Sequence, residues 1–308
     1  MAQRELPVGS LPLLAGLAVI AVVSEPFWSV TLALAPLPIY LTVKLRGPVV
    51  GGLLLVAVAV VSAAVIGPGA VVAIAVIIGL GYVTGLMGPA RRPGGRIFMA
   101  AVFLFVIFAG LGLLIYFLDR PEAAKLIARQ SADLRRLLLA RAGRGAGRAV
   151  VEVQINKFVA VLPHVFFGAV ALGSIWLAGL NYLATGRLAK SWGLPWTSLP
   201  EFRRWQLPWP AAYGFILGLV GFLLSGYFGR YRLDAYGTGL SLLLVFGALY
   251  FIQGLAVVKF YADKYRLNPA AKVLVMAAAI TMQLFFQALS WLGLFDTWFD
   301  FRRLASAG

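Results

Sequence analysis

Eleven carboxylates, one imidazole and no thiol are the acid–base stock of this 308-residue chain. His164 is the single histidine, and it follows a proline in Leu162-Pro163-His164-Val165. A proline frees a backbone carbonyl close to that imidazole. The ring then either bonds a neighbouring helix or meets a substrate or a proton. Glu25 stands alone before Pro26, as a wet loop residue or as a group facing a cavity. Asp296 and Asp300 are four apart and share a face if a helix continues through them. With Arg302 and Arg303 just beyond, they read first as a terminal structural clasp. Three amides, Gln253, Gln283 and Gln287, complete the set, the last two sharing a face at i, i+4. Amide bonds between helices are worth only ~0.6 kcal/mol each in a membrane, so they act as glue or line a cavity.

This inventory supports no catalytic residue. The sequence has no HExxH, no phosphate loop of the Walker A kind and no GxSxG elbow. A metal site would rest on one histidine and distant carboxylates, so no metal and no cofactor is implied. The chain is not expected to be an enzyme, the remaining alternative being one acting on a lipid-linked substrate, whose phosphate arginines would bind well.

The elements that must position these groups follow from composition. Apolar residues make up 61% of the chain and charged residues 12%, and the mean hydropathy is +0.91. An ordinary soluble domain is about half apolar and about a quarter charged. A soluble fold and a disordered chain are both excluded, leaving an all-α polytopic transmembrane bundle. Stretches long enough to be considered as spans run over 11–24, 27–42, 49–66, 70–87, 97–118, 158–183, 211–228, 237–260 and 271–294. That is about nine spans, or eight if Phe27 to Thr42 is re-entrant. Pro36 and Pro38 interrupt this second stretch, which reads either as a kinked span or as a broken segment lining a cavity. Residues 1–118 then form an N-terminal bundle, 119–157 a surface segment and 158–308 a C-terminal bundle, within one integrated membrane domain. The ligand or cavity candidates are Glu25, Pro36, Pro38, His164, Gln253, Gln283 and Gln287.

The net charge of +16 addresses the chain to a membrane rather than to nucleic acid. With nine spans and a cytoplasmic N-terminus, the inside holds Arg4, Lys44, Arg46, Arg91, Arg92, Arg96, Arg187, Lys190, Arg203, Arg204, Lys259, Lys264, Arg266 and Lys272. Short outside segments hold only Arg230, Arg232, Arg302 and Arg303. This asymmetry favours a multi-pass protein with its N-terminus in the cytoplasm. The segment from Asp119 to Lys157 opposes it, because nine further basic residues would lie outside. Pro121 to Arg141 has helix formers, an apolar side of Leu126, Ile127, Leu134, Leu137, Leu138 and Leu139, and arginines between them. That is the composition of a basic amphipathic helix in the head-group plane, in contact with anionic lipid.

Two aromatic–charged clusters mark the C-terminal half. One runs from Phe202 through Trp205 to Pro208, and the other from Gly293 through Asp296, Trp298 and Asp300 to Arg302 and Arg303. Tryptophan anchors helices at the interface, and the carboxylate–arginine pairs beside it suggest an interface clasp. These runs, with Gln253-Gly254-Leu255 through Phe260-Tyr261, resemble the YybS-like family of bacterial inner-membrane proteins. The resemblance implies a fold distantly similar to the membrane-embedded substrate-binding components of energy-coupling-factor transporters, hence a helical bundle with a cavity. It carries neither a ligand nor a catalytic residue. Two functions compete. One is a small-molecule binding or transport component, and the other is a non-catalytic structural or assembly factor acting through a protein partner in the membrane.

Overall fold

A computed structural model of the protein describes residues 36–66, 78–87, 92–118, 120–141, 152–153, 155–156, 162–191, 193–194 and 196–304. Glu25 and the whole of the first expected span lie outside the described residues, as do residues 27–35 of the second. All regular structure among the described residues is helical. The chain forms two compact units, 1–111 with 173–199 and 112–172 with 200–308.

In the first unit, α1 (Leu37–Arg46) begins where the prolines stand. Pro36 caps it and Pro38 lies in its first turn, where the missing N–H has no intrahelical acceptor to lose. Both prolines thus stand at the start of α1, which runs beyond Thr42 to Arg46. Gly47 ends it at φ 90°, and Lys44 and Arg46 occupy the last turn, where the helix dipole favours cations. The chain folds back into α2 (Pro48–Ile66), with Gly51 directly against Val43. A third helix, α3 (78–86), brings Gly81 onto the Pro36 carbonyl and Gly85 against the Val43 side chain, leaving no room for a Cβ at either glycine. Ile39, Val43, Leu54, Val58 and Ile78 bury one core, and Leu80, Ala100, Leu104 and Ala178 another. The last three come from α4 (Pro93–Leu118) and α6 (Phe166–Ser191).

The second unit contains α5 (Arg120–Arg141), the helix expected from the composition of the long polar segment. Its core is a helical hairpin, α7 (Ala211–Leu224) and α8 (Arg232–Lys264), joined by a turn over Ser225–Tyr231 in which Gly229 has φ 51°. Gly214 meets Phe246, Gly218 meets Leu242 and Gly221 meets Gly239, so the two helices run antiparallel with their backbones close. Small residues permit that approach.

The expected last span, 271–294, is not one straight crossing. It divides into α9 (Pro269–Phe286) and α10 (Ala288–Phe299), bent by 100° at Gln287, which is left-handed at φ 53°. α9 leaves the C-terminal end of α8, where Lys272 Nζ reaches Asp263 at 2.6 Å. α10 returns parallel to α8: Ser290 bonds Gly247, Gly293 lies on Tyr250, Thr297 bonds Gln253, and Phe301 bonds Tyr261. The segment after α10 thus lies at the end of α8 from which α9 departs.

Among the described residues, three stretches are long and apolar enough to cross a membrane: Pro93–Leu114, Phe166–Ser191 and Ala211–Lys264, the last being the α7–α8 hairpin. The bent pair α9–α10 would make a fourth. Large apolar side chains point outward along these helices, among them Phe98, Val106, Leu217 and Leu223, each about two-thirds exposed. Such surface is costly in water and ordinary in lipid.

Candidate functional site

Two polar clusters stand out against this apolar background. The first closes the end of the second unit. Asp296, in the last turn of α10, is fully buried, and Arg302 lies on it with Nη2 2.7 Å from Oδ2. The Arg302 Nε reaches the same carboxylate at 3.2 and 3.3 Å. Its remaining donors go to the Arg203 carbonyl at 2.7 Å and the Trp205 carbonyl at 2.9 Å. Gln253 completes the cluster from α8, donating to Asp296 at 3.0 Å and accepting from the Leu207 amide at 2.9 Å. The folding reason is local. Asp300 takes the left-handed conformation at φ 40°, which ends α10 and turns the tail back across its own last turn.

The clasp candidates therefore divide. Asp296 and Arg302 form its centre, while Phe202 packs edge-to-face on Trp205 at 5.2 Å. Trp205 Nε1 donates to the Pro200 carbonyl. Pro208 and Trp298 are exposed. Asp300 is beyond the end of α10 and accepts the Leu304 amide, so it does not share a helix face with Asp296.

The cavity candidates are scattered. Pro36 and Pro38 are buried at the start of α1. The His164 side chain is exposed, whereas its carbonyl faces Ser241 and its backbone packs on Gly237 of α8. Gln283 donates to the Ser290 hydroxyl at 2.9 Å and accepts its amide at 3.1 Å, bridging the break between α9 and α10. Gln287 is exposed at that break, because its left-handed backbone turns it off the face that an unbroken helix would share with Gln283. Gln253 belongs to the clasp, not to a group with the other two amides.

The second cluster lies in the first unit and was counted in the sequence only as topology charge. Arg96, in the first turn of α4, is 3% exposed. Its guanidinium lies 4.5 Å from the Trp196 ring centre and 5.5 Å from that of Tyr182. The Tyr40 ring packs edge-to-face on Trp196 at 5.8 Å. Lys44 stands nearby, its Nζ on the Met87 carbonyl at 3.0 Å. Burial, and after it the charge of Arg96, push the Lys44 ammonium below the usual lysine range. The signal available in the sequence was an arginine three residues into an apolar helix, in a stretch from 26 to 118 without one Asp or Glu.

An open apolar groove of about 440 Å³ lies between α8, α9 and α10, lined by Val257, Val258, Tyr261, Val275 and Leu292 among others. Among the described residues no three acidic or histidine side chains gather as a metal site would require.

Comparison with known proteins matches the sequence to a family of membrane proteins. A family model described as a predicted membrane protein (DUF2232) covers residues 13–297. The chain is 26% identical over 220 residues to the uncharacterised protein YybS of Bacillus subtilis (strain 168), across 70% of this chain and 68% of that relative. The family resemblance read from the C-terminal motifs therefore holds. No solved structure matches the chain.

Proposed function

Since the chain belongs to the DUF2232 family of predicted membrane proteins, we propose that it is a non-catalytic, multi-pass component of the bacterial inner membrane that binds a small amphipathic molecule. The observation that carries this reading is the groove between α8, α9 and α10. Its volume of about 440 Å³ is within the range of small-molecule pockets, and its lining is apolar. Lys264 lies over the Tyr261 ring, with Lys259 and Lys272 flanking Asp263 one turn away. An apolar tail in the groove would leave its polar head among these cations. No catalytic role is proposed, since Asp296 is spent on Arg302.

The test is native mass spectrometry of the full-length chain released from a gentle detergent. The expected result is one retained amphiphile per chain, lost when Val258→Trp fills the groove. Failure to retain any amphiphile, with the Val258→Trp variant indistinguishable from the parent, would overturn the reading.

A second reading, a structural or assembly factor acting through a protein partner, is favoured by a different observation. Gln253 and Gln283 are both used up in holding helices together. A stable partner co-purifying with a ligand-free chain would support it. Under either reading α5 lies at the lipid surface, where its exposed Lys125, Arg129 and Arg136 meet anionic head groups.

A further inference from the structure

We infer that the first unit carries a binding site for one phosphate group, centred on the guanidinium of Arg96. The argument starts from charge. Arg96 is buried, and no Asp or Glu occurs in residues 26–118 or 153–200, so the described part of this unit contains no carboxylate. A buried cation without a counter-ion is strongly unfavourable. The rings of Tyr182 and Trp196 offset part of that cost, and the Tyr40 and Tyr182 hydroxyls lie within its hydrogen-bonding reach. None of these brings a negative charge, and Nε has no acceptor.

Three further features converge on the same place. Lys44 supplies a second cation close enough to feel Arg96, and unlike Arg96 it is exposed. Thr185 is three residues from Tyr182 on one face of α6, fully buried, and its hydroxyl also lacks a partner. Arg96 belongs to the first turn of α4 and Lys44 to the last turn of α1, so both stand at helix ends, at the depth of lipid head groups. A planar guanidinium fork, an ammonium and a hydroxyl are the donor set that recognises phosphate oxygens. Two positive charges balance the two of a phosphate monoester, and one phosphodiester head group would neutralise half of them. The site is separate from the groove of the second unit and stands whether or not that groove binds anything.

The experiment uses the full-length chain in two arms. In uncharged detergent, equilibrium dialysis measures binding of radiolabelled inorganic phosphate. In phosphatidylcholine nanodiscs, with and without phosphatidylglycerol, native mass spectrometry after release counts retained anionic lipid. Saturable binding in the first arm assigns the site to a free phosphate, and retention only in the second assigns it to a lipid head group. In whichever arm responds, Arg96→Gln and Lys44→Gln should each weaken binding about tenfold or more, the loss of one charge-assisted contact. Lys44 is exposed, so its variant keeps the fold and decides the matter alone if Arg96→Gln does not fold. Binding of neither probe by the parent chain would overturn the proposal. So would equal binding by the parent and Lys44→Gln.

Discussion

Asp296 and Arg302 form an ion pair of 2.7 Å with both side chains wholly removed from solvent. The arginine's other contacts are the backbone carbonyls of Arg203 and Trp205, about a hundred residues earlier. One side chain thus joins the tail, the last turn of α10 and the segment leading into α7. Gln253 adds a further donor to Asp296 Oδ2 from α8. Breaking a buried pair leaves an uncompensated charge, so Asp296→Ala should cost ~3–5 kcal/mol. Arg302→Met should cost a similar amount. The double variant Asp296→Leu with Arg302→Met should recover most of the loss, as replaced buried pairs do. Reversible unfolding in mixed micelles measures all three, and additive losses in the double variant would show that the pair does not act as a unit.

The approach of α10 to α8 rests on two glycines. A side chain on Gly254 would strike the Leu289 carbonyl, and one on Gly293 the Tyr250 carbonyl. Backbone atoms cannot swing aside as a flexible side chain can. Gly254→Ala and Gly293→Ala should each destabilise by ~1–3 kcal/mol, the usual cost of overpacking. Gly110 and Gly173, on exposed helix surface with nothing within 4 Å, serve as controls. Alanine there should be neutral or stabilising, because it removes glycine's conformational entropy. Thermal unfolding of the four variants in one detergent makes the comparison.

Gln283 holds the break between α9 and α10 by taking the Ser290 amide and hydroxyl together. That amide is one of the first N–H groups of α10, which have no partner inside their own helix. Gln283→Leu leaves it unsatisfied in an apolar setting, at a cost of ~1–3 kcal/mol. Hydrogen exchange is the selective readout. Ser290 and its neighbours should exchange faster in the variant, while the α7–α8 hairpin stays protected.

These sites show what the sequence made legible. Composition was enough for the helical class, because no other fold could hide so many apolar residues. Gly214, Gly218 and Gly221 stand at helical spacing in the sequence, but nothing local names α8 as the helix they meet. The pairing of Asp296 with Arg302 was among the possibilities that their spacing allowed. The break at Gln287 was not marked. Neither glycine nor proline stands there, and a glutamine at positive φ is imposed by contacts with Gly247 and Gly254 of α8, far away in sequence. The burial of Arg96 was not marked either, for a related reason. Its neighbours Tyr182 and Trp196 come from the far side of a long segment, so no local spacing could reveal that it is buried between rings.

The return of α10 brings the tail to the end of α8 from which α9 departs. Phe301 and Arg302 lie beside Tyr261, Arg203 and Trp205. Arg302 and Arg303 thereby join Arg203, Arg204 and Lys264 at one end of the second unit, and of the short outside segments only Arg230 and Arg232 stay opposite. With nine crossings replaced by a re-entrant last pair, the charge asymmetry expected for a cytoplasmic N-terminus would be steeper. The native chain has no cysteine, so introduced ones report cleanly. With a membrane-impermeant maleimide, Arg266→Cys and Leu304→Cys should be labelled only after lysis, and Tyr227→Cys, at the exposed hairpin turn, in intact cells. Ser131→Cys on α5 should also react from outside, which would place the basic helix on the outer surface despite its charge. A straight last span predicts instead that Leu304→Cys labels together with Tyr227→Cys, and that result would remove the re-entrant arrangement of α9 and α10.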